Sequence, residues 1–241
     1  MTSPLHDGLS IAFALLGAPL CVLLADRLPR QILAEHKRDV AHLRGEPPPA
    51  PVRWRDSVAA LHRWPNLLLL LALLLALALM QPWSAANVGG WALAVYVGVL
   101  LMLARTDAEH QLLPDALTLG LLWVGLLLQV TPGLETVGAQ EAIVGAVTGY
   151  LPFRLLGLLY QQWRGFDGMG QGDMKLLAAA GAWWGPWVPL QAFVLGTVLS
   201  LLPWLLARLS GRLAANQHFP FGPALVGALL LLLWRGGIPL P

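Results

Sequence analysis

Leu67-Leu-Leu-Leu-Leu-Ala-Leu-Leu-Leu-Ala-Leu-Ala-Leu79 has leucine or alanine at every position and no polar side chain. A helix built from it has no face to turn toward water, so it must be surrounded by lipid or protein. The rest of the chain follows the same composition: 57% of its 241 residues are hydrophobic and 12% are charged, and the mean hydropathy is +0.65. A soluble domain carries about 25% charged residues, so an ordinary water-soluble enzyme is excluded. Barrel strands alternate apolar and polar side chains, which these blocks do not. The fold class expected is an all-α, polytopic membrane protein.

Apolar blocks fall at about 9–25, 66–81, 91–104, 116–131, 140–160, 174–185, 187–207 and 223–236. At about 20 residues per crossing, these give about eight transmembrane helices, with Pro152, Pro189 and Pro203 expected to interrupt two of the blocks. The loop after the first block holds Arg27, Arg30, Lys37, Arg38, Arg44, Arg53, Arg55 and Arg63. The positive-inside rule makes this loop cytoplasmic. Threading onward puts Arg105, Arg164, Lys175, Arg208 and Arg212 at cytoplasmic ends and leaves Arg235 on the far side. The N- and C-termini are then both outside. Residues 1–8 lack the positive region of a secretory signal, so the first block reads as a retained span. Within the cytoplasmic loop 26–65, residues 31–43 suit a short interfacial helix, and Glu46-Pro-Pro-Pro-Ala-Pro51 ends it.

Two polar segments break the apolar pattern on that side: Arg105-Thr-Asp-Ala-Glu-His-Gln-Leu-Leu-Pro-Asp115 and Gly165-Phe-Asp-Gly-Met-Gly-Gln-Gly-Asp-Met-Lys175. Ionisable groups at the edge of a membrane helix are costly unless paired or hydrated, and they point to function. Asp107 closes the third span and Asp173 opens the sixth. A carboxylate at Asp173 would also suit a helix N-terminus. Two carboxylates converging in a poorly solvated site share a proton, so that one activates water while the other polarises a carbonyl.

The ordered set Asp107-x-x-His110-Gln-Leu-Leu-Pro114-Asp115-x-Leu-Thr118, Gly170-x-Gly172-Asp173-x-Lys175-Leu-Leu-Ala178, Gly181-Ala-Trp183-x-Gly185 and Phe219-Pro-Phe-Gly-Pro223 resembles the type IV prepilin peptidases. That family groups with presenilin-like proteins among the Gly-x-Gly-Asp intramembrane aspartic proteases. The resemblance implies that the chain is a single membrane domain, 1–241, with its catalytic core in 100–230. Asp107 and Asp173 are then the catalytic pair. Asp115 is a third acidic candidate, read first as an N-cap of the fourth span with Thr118 at N3. Pro114 keeps Asp115 off the helix of Asp107. Gly170 and Gly172 let the backbone approach another element closely. Glu109 and Asp167 read as solvated loop charges, and Glu109 or Asp115 could assist a basic substrate leader. Lys175 could tune Asp173 or bind substrate, although a lysine snorkelling to the interface is the simpler account. Trp183, Trp184 and Trp187 read as an aromatic belt at the far face.

The sequence departs from that family in two places. Many members carry two Cys-x-x-Cys pairs in the first cytoplasmic loop, whereas Cys21 is the lone cysteine here. The loop therefore lacks a thiolate zinc module, and His110 and His218 do not make a metal site by themselves. The N-terminal signature is also altered: Ala18-Pro-Leu-Cys-Val-Leu-Leu-Ala-Asp-Arg27-Leu-Pro29 keeps the Arg-x-Pro but has Val22 where the family has asparagine. Members of the family methylate the new N-terminus with S-adenosylmethionine, an activity tied to this region, and no glycine-rich nucleotide loop is visible here. The implied substrates are prepilins or pseudopilins, processed at the cytoplasmic face of the bacterial inner membrane, with membrane lipid as surroundings and no nucleic-acid partner. Two other classes fit the composition. A proton-coupled transporter would place its carboxylates near the midplane, often in repeated halves. A non-enzymatic secretion-assembly protein would use the aspartates only as caps.

Overall fold

The structure, a computed structural model, describes residues 89–165, 169–210 and 220–235, with short stretches between residues 23 and 53. The expected spans at 9–25 and 66–81, Leu67–Leu79 included, lie almost wholly outside the described residues, as do Cys21, Asp167 and His218. Every regular element among the described residues is α-helical. Six helices are named here: α1, Gly89–His110; α2, Asp115–Val130; α3, Ala139–Arg164; α4, Gln171–Trp184; α5, Val188–Leu209; and α6, Gly222–Trp234. Their order follows the last six apolar blocks. Two of them are long and apolar enough to cross a membrane, α3 and, over Val188–Leu206, α5. The apolar helices α2 and α6 are shorter.

The chain divides into two compact units, Met1–Leu112 and Leu113–Pro241. In the first, residues 27–35 are helical, as are the described residues 38 and 42. Part of the segment 31–43 is therefore helical, and the helix begins earlier than residue 31. In α1, Tyr96, Val97, Leu100 and Leu103 are fully buried. The helix does not stop at Asp107 but continues to His110. Arg105 Nε donates to Glu109 Oε1 at 2.9 Å across one turn, so Glu109 is a helical ion-pair partner rather than a loop charge. Gln111 then turns left-handed at φ 52°, and its N–H reaches the Asp107 carbonyl at 2.8 Å. That is a C-terminal stop. Pro114 holds the connection extended until α2 begins.

In the second unit α4 is the core helix. Eleven of its 14 residues are buried, and α2, α3 and α5 pack on it, with α6 lying against α5. The α3–α4 contact rests on missing side chains. A Cβ on Gly145 would collide with the Gly181 carbonyl, one on Gly181 with the Gly145 carbonyl, and one on Gly149 with the backbone at Leu177. Gly145-Ala-Val-Thr-Gly149 is a small-xxx-small pair of the kind that lets membrane helices pack backbone to backbone. The opposite faces, with Val147, Leu151, Leu155 and Leu159 on α3 and Val194, Val198 and Leu202 on α5, are exposed and apolar. Such faces are matched to lipid and not to water.

Three expectations need correction. Pro152 and Pro203 do not interrupt their helices; α3 and α5 run straight through them. Pro189 sits in the first turn of α5, where its missing N–H would have had no partner. Trp183 and Trp184 are not belt residues, being only 2% and 4% exposed. Trp183 Nε1 donates to the Leu121 carbonyl at 2.8 Å, and its indole occupies the place that a side chain on Gly125 would need. Only Trp187, 74% exposed, keeps the position of an interfacial anchor.

Candidate functional site

Two carboxylates stand out by burial. Asp107, in the last turns of α1 in the first unit, is 7% exposed, and Asp173, at the start of α4 in the second, is 9% exposed. Their neighbours differ. Next to Asp107, Thr106 is turned inward and donates to the Met102 carbonyl at 2.8 Å, the usual way a buried hydroxyl on a helix is satisfied.

Asp173 is the third residue of α4, after the N-cap Gly170, which has no side chain to cap the helix. Asp173 Oδ2 lies 2.8 Å from the point where a Cβ on Gly170 would be, so the carboxylate folds back over the bare Gly170 backbone. The second glycine is needed for a separate contact. A Cβ on Gly172 would stand 2.6 Å from Leu113 Cβ, so the turn before α2 lies directly on the first turn of α4. Both Gly-x-Gly-Asp glycines thus have steric reasons. Leu113 was not legible as the partner of Gly172, because nothing local in the sequence ties it to residue 172.

Asp115 is not an N-cap. Pro114 holds the cap position without a side-chain bond, and Asp115 is the first residue of α2. Thr118 Oγ1 turns back to the Pro114 carbonyl at 3.3 Å. The Asp115 carboxylate accepts from Lys175 Nζ at 2.5 Å, so Lys175 is engaged in an ion pair and does not snorkel freely. His110 Nε2 lies 3.9 Å from Glu109 Oε2. Among the described residues no group of three or more His, Cys, Asp and Glu side chains is placed to hold a metal ion.

At the other end of α2, a buried polar knot escaped the sequence reading. Gln129 Oε1 accepts from the N–H groups of Thr136, Val137 and Gly138 at 2.8, 3.0 and 3.2 Å. Its amide nitrogen donates to Thr136 Oγ1, which donates in turn to the Trp183 carbonyl at 2.9 Å. This one side chain orders the α2–α3 loop and ties it to the end of α4. A glutamine at the end of an apolar run was the available signal.

The sequence profile of the type IV leader peptidase family matches residues 94–206, the stretch that holds both buried aspartates, both glycines and the Asp115–Lys175 pair. The chain is 40% identical over 164 residues to the prepilin leader peptidase/N-methyltransferase of Neisseria gonorrhoeae, covering 68% of this chain and 54% of that protein. Proteins of the same name from Dickeya chrysanthemi and Aeromonas hydrophila are 42% and 39% identical, covering 71% and 73% of this chain and 60% of each relative. The chain therefore spans somewhat over half the length of these relatives. No solved structure matches it.

Proposed function

We propose that this chain is a membrane aspartic endopeptidase that removes the leader peptide from type IV prepilins or pseudopilins, with Asp107 and Asp173 as its catalytic carboxylates. The observation that carries this reading is the burial of Asp173 at the head of the core helix, with its carboxylate laid over Gly170. In this reading both aspartates act on one peptide bond. The ionised carboxylate takes a proton from water, whose oxygen attacks the scissile carbonyl carbon. The protonated carboxyl donates to the carbonyl oxygen as the tetrahedral intermediate forms. Collapse breaks the C–N bond, and a proton passes to the leaving amine. Gly170 and Gly172 shape the backbone around Asp173, and a basic leader would compete with Arg105 for Glu109.

The topology that goes with this function has about eight spans, both termini outside and the carboxylates at the cytoplasmic face of the bacterial inner membrane, with 100–230 as the catalytic core of a single membrane domain. It is supported by the charge asymmetry of the loops and by the outward apolar faces of α3 and α5. Prepilins are proposed as substrates on the strength of the relatives' names. The same names support a second activity, methylation of the new N-terminal amine, for which S-adenosylmethionine would supply the methyl group. The described residues include no strand–glycine loop–helix unit of the kind that cradles such a nucleotide, and none is assigned to the methyl donor. Proteolysis by two carboxylates calls on neither zinc nor another cofactor.

The test is cleavage of a prepilin by the purified chain in detergent, with the mass of the product recorded, for wild type, Asp107→Asn and Asp173→Asn. Loss of cleavage in both folded variants is expected. Retention in either would overturn the pairing. A folded wild type inactive on several prepilins would revive the transporter and assembly readings.

A further inference from the structure

The turn Leu113–Asp115 and the first turns of α4 meet at two points. Leu113 Cβ lies 2.6 Å from the place of a Cβ on Gly172, and three residues on, Lys175 Nζ donates to Asp115 Oδ1 at 2.5 Å. Helix residues three apart share a face, so Gly172 and Lys175 form one strip of α4, fastened to the turn at both places. Asp173 is two residues before Lys175, about 200° away round the helix. Lys175 therefore does not face the Asp173 carboxylate on its own helix. Its effect on that carboxylate must pass through the orientation of the helix.

The ion pair is too exposed to act mainly as a stabiliser. The Asp115 side chain is 61% exposed and that of Lys175 is 20% exposed, and pairs of this kind contribute little to folding. Geometry is what the contact can set. The N-cap of α4 is Gly170, which brings no side chain to this end of the helix, and the first turn is held partly by what packs beside it. The Leu113–Asp115 turn is such a neighbour.

We propose that Asp115 and Lys175 are positioning residues: their ion pair, with Leu113 seated on Gly172, clamps the start of α2 onto the first turns of α4 and sets the direction in which Asp173 presents its carboxylate. This rests on the peptidase reading of Asp173. It assigns the third acidic residue of the motif to the geometry of the site, and neither to capping nor to proton transfer.

The experiment uses the full chain in detergent with a prepilin substrate. It measures kcat, KM and thermal unfolding for wild type, Asp115→Asn, Lys175→Met, the reversed pair Asp115→Lys with Lys175→Asp, and the conservative pair Asp115→Glu with Lys175→Arg. Misplacement of a reacting group by about 1 Å costs on the order of 100-fold. Each single variant is accordingly expected to lose roughly 10- to 100-fold in kcat, with KM and the unfolding midpoint nearly unchanged. The reversed pair should recover most of that loss. If it does not fold, the conservative pair decides, and it is expected to stay close to wild type. Unchanged kcat in the single variants overturns the proposal. So does a loss confined to KM, or failure of a folded reversed or conservative pair to exceed the single variants. A wild type inactive on every prepilin overturns the peptidase reading and this role with it, whereas an active wild type with insensitive single variants overturns this role alone.

Discussion

Asp173 Oδ2 lies 2.8 Å from the point where any side chain at position 170 would begin. The Gly170 backbone, at φ −61° and ψ 132°, is one that any residue adopts. The glycine is therefore present for room and not for conformation. This gives the pair a functional signature separable from stability.

Gly170→Ala should fold normally, because the group that must yield is the end of a side chain. It should nevertheless turn the Asp173 carboxylate away from its resting direction. Prepilin cleavage is expected to fall at least about 10-fold, with an unchanged thermal midpoint. Cleavage at the wild-type rate would show that the carboxylate's position over Gly170 is immaterial.

At Gly172 the obstacle is Leu113 Cβ, which is anchored to backbone. Gly172→Ala must push the whole turn away from α4, so both activity and stability should drop. Adding Leu113→Ala should not rescue it, since the clashing Cβ remains. Recovery of cleavage in that double variant would count against the steric account.

The α3–α4 seam predicts a different pattern. Gly145→Ala and Gly181→Ala each set a methyl against a backbone carbonyl and should destabilise by about 1–3 kcal/mol or more. Gly157→Ala meets only the Met174 Cε methyl at 3.1 Å, the flexible end of a side chain, and should be nearly silent. Unfolding midpoints of the three variants in one detergent give the comparison, and equal losses would contradict the contact geometry.

Replacing Gln129 by leucine removes the acceptor for three backbone N–H groups at once. Each buried N–H left without a partner costs about 1–3 kcal/mol. Protease nicking between residues 131 and 138 should accelerate well before global unfolding. A Gln129→Leu variant as resistant as wild type would mean that water can replace the amide there.

Much of this protein can be read from local sequence. The apolar blocks from 91 onward predict each of the six helices, because a run without polar side chains has few ways to satisfy its backbone other than as a helix. The aspartates at positions 107 and 173 draw attention in the sequence for the same reason that they are buried in the structure: charge beside apolar surface is costly enough to need a purpose. The prolines at 152 and 203 mislead, because one lost N–H inside a long, packed helix costs less than breaking the helix would.

Tertiary structure alone decided which residues meet. Asp115 looks like a cap when seen beside Thr118, and only the arrival of Lys175 from a helix 60 residues away makes it an ion-pair partner. Trp183 looks like a belt residue until Gly125, on another helix, leaves the opening that takes its indole. Gly170 and Gly172 are adjacent in one motif, yet one makes room for a carboxylate and the other for Leu113. Composition and periodicity are properties of a segment, so the chain alone determined its apolar, helical class and singled out its two aspartates. Partnership is a property of two segments brought together by packing, and it took the folded molecule to assign it.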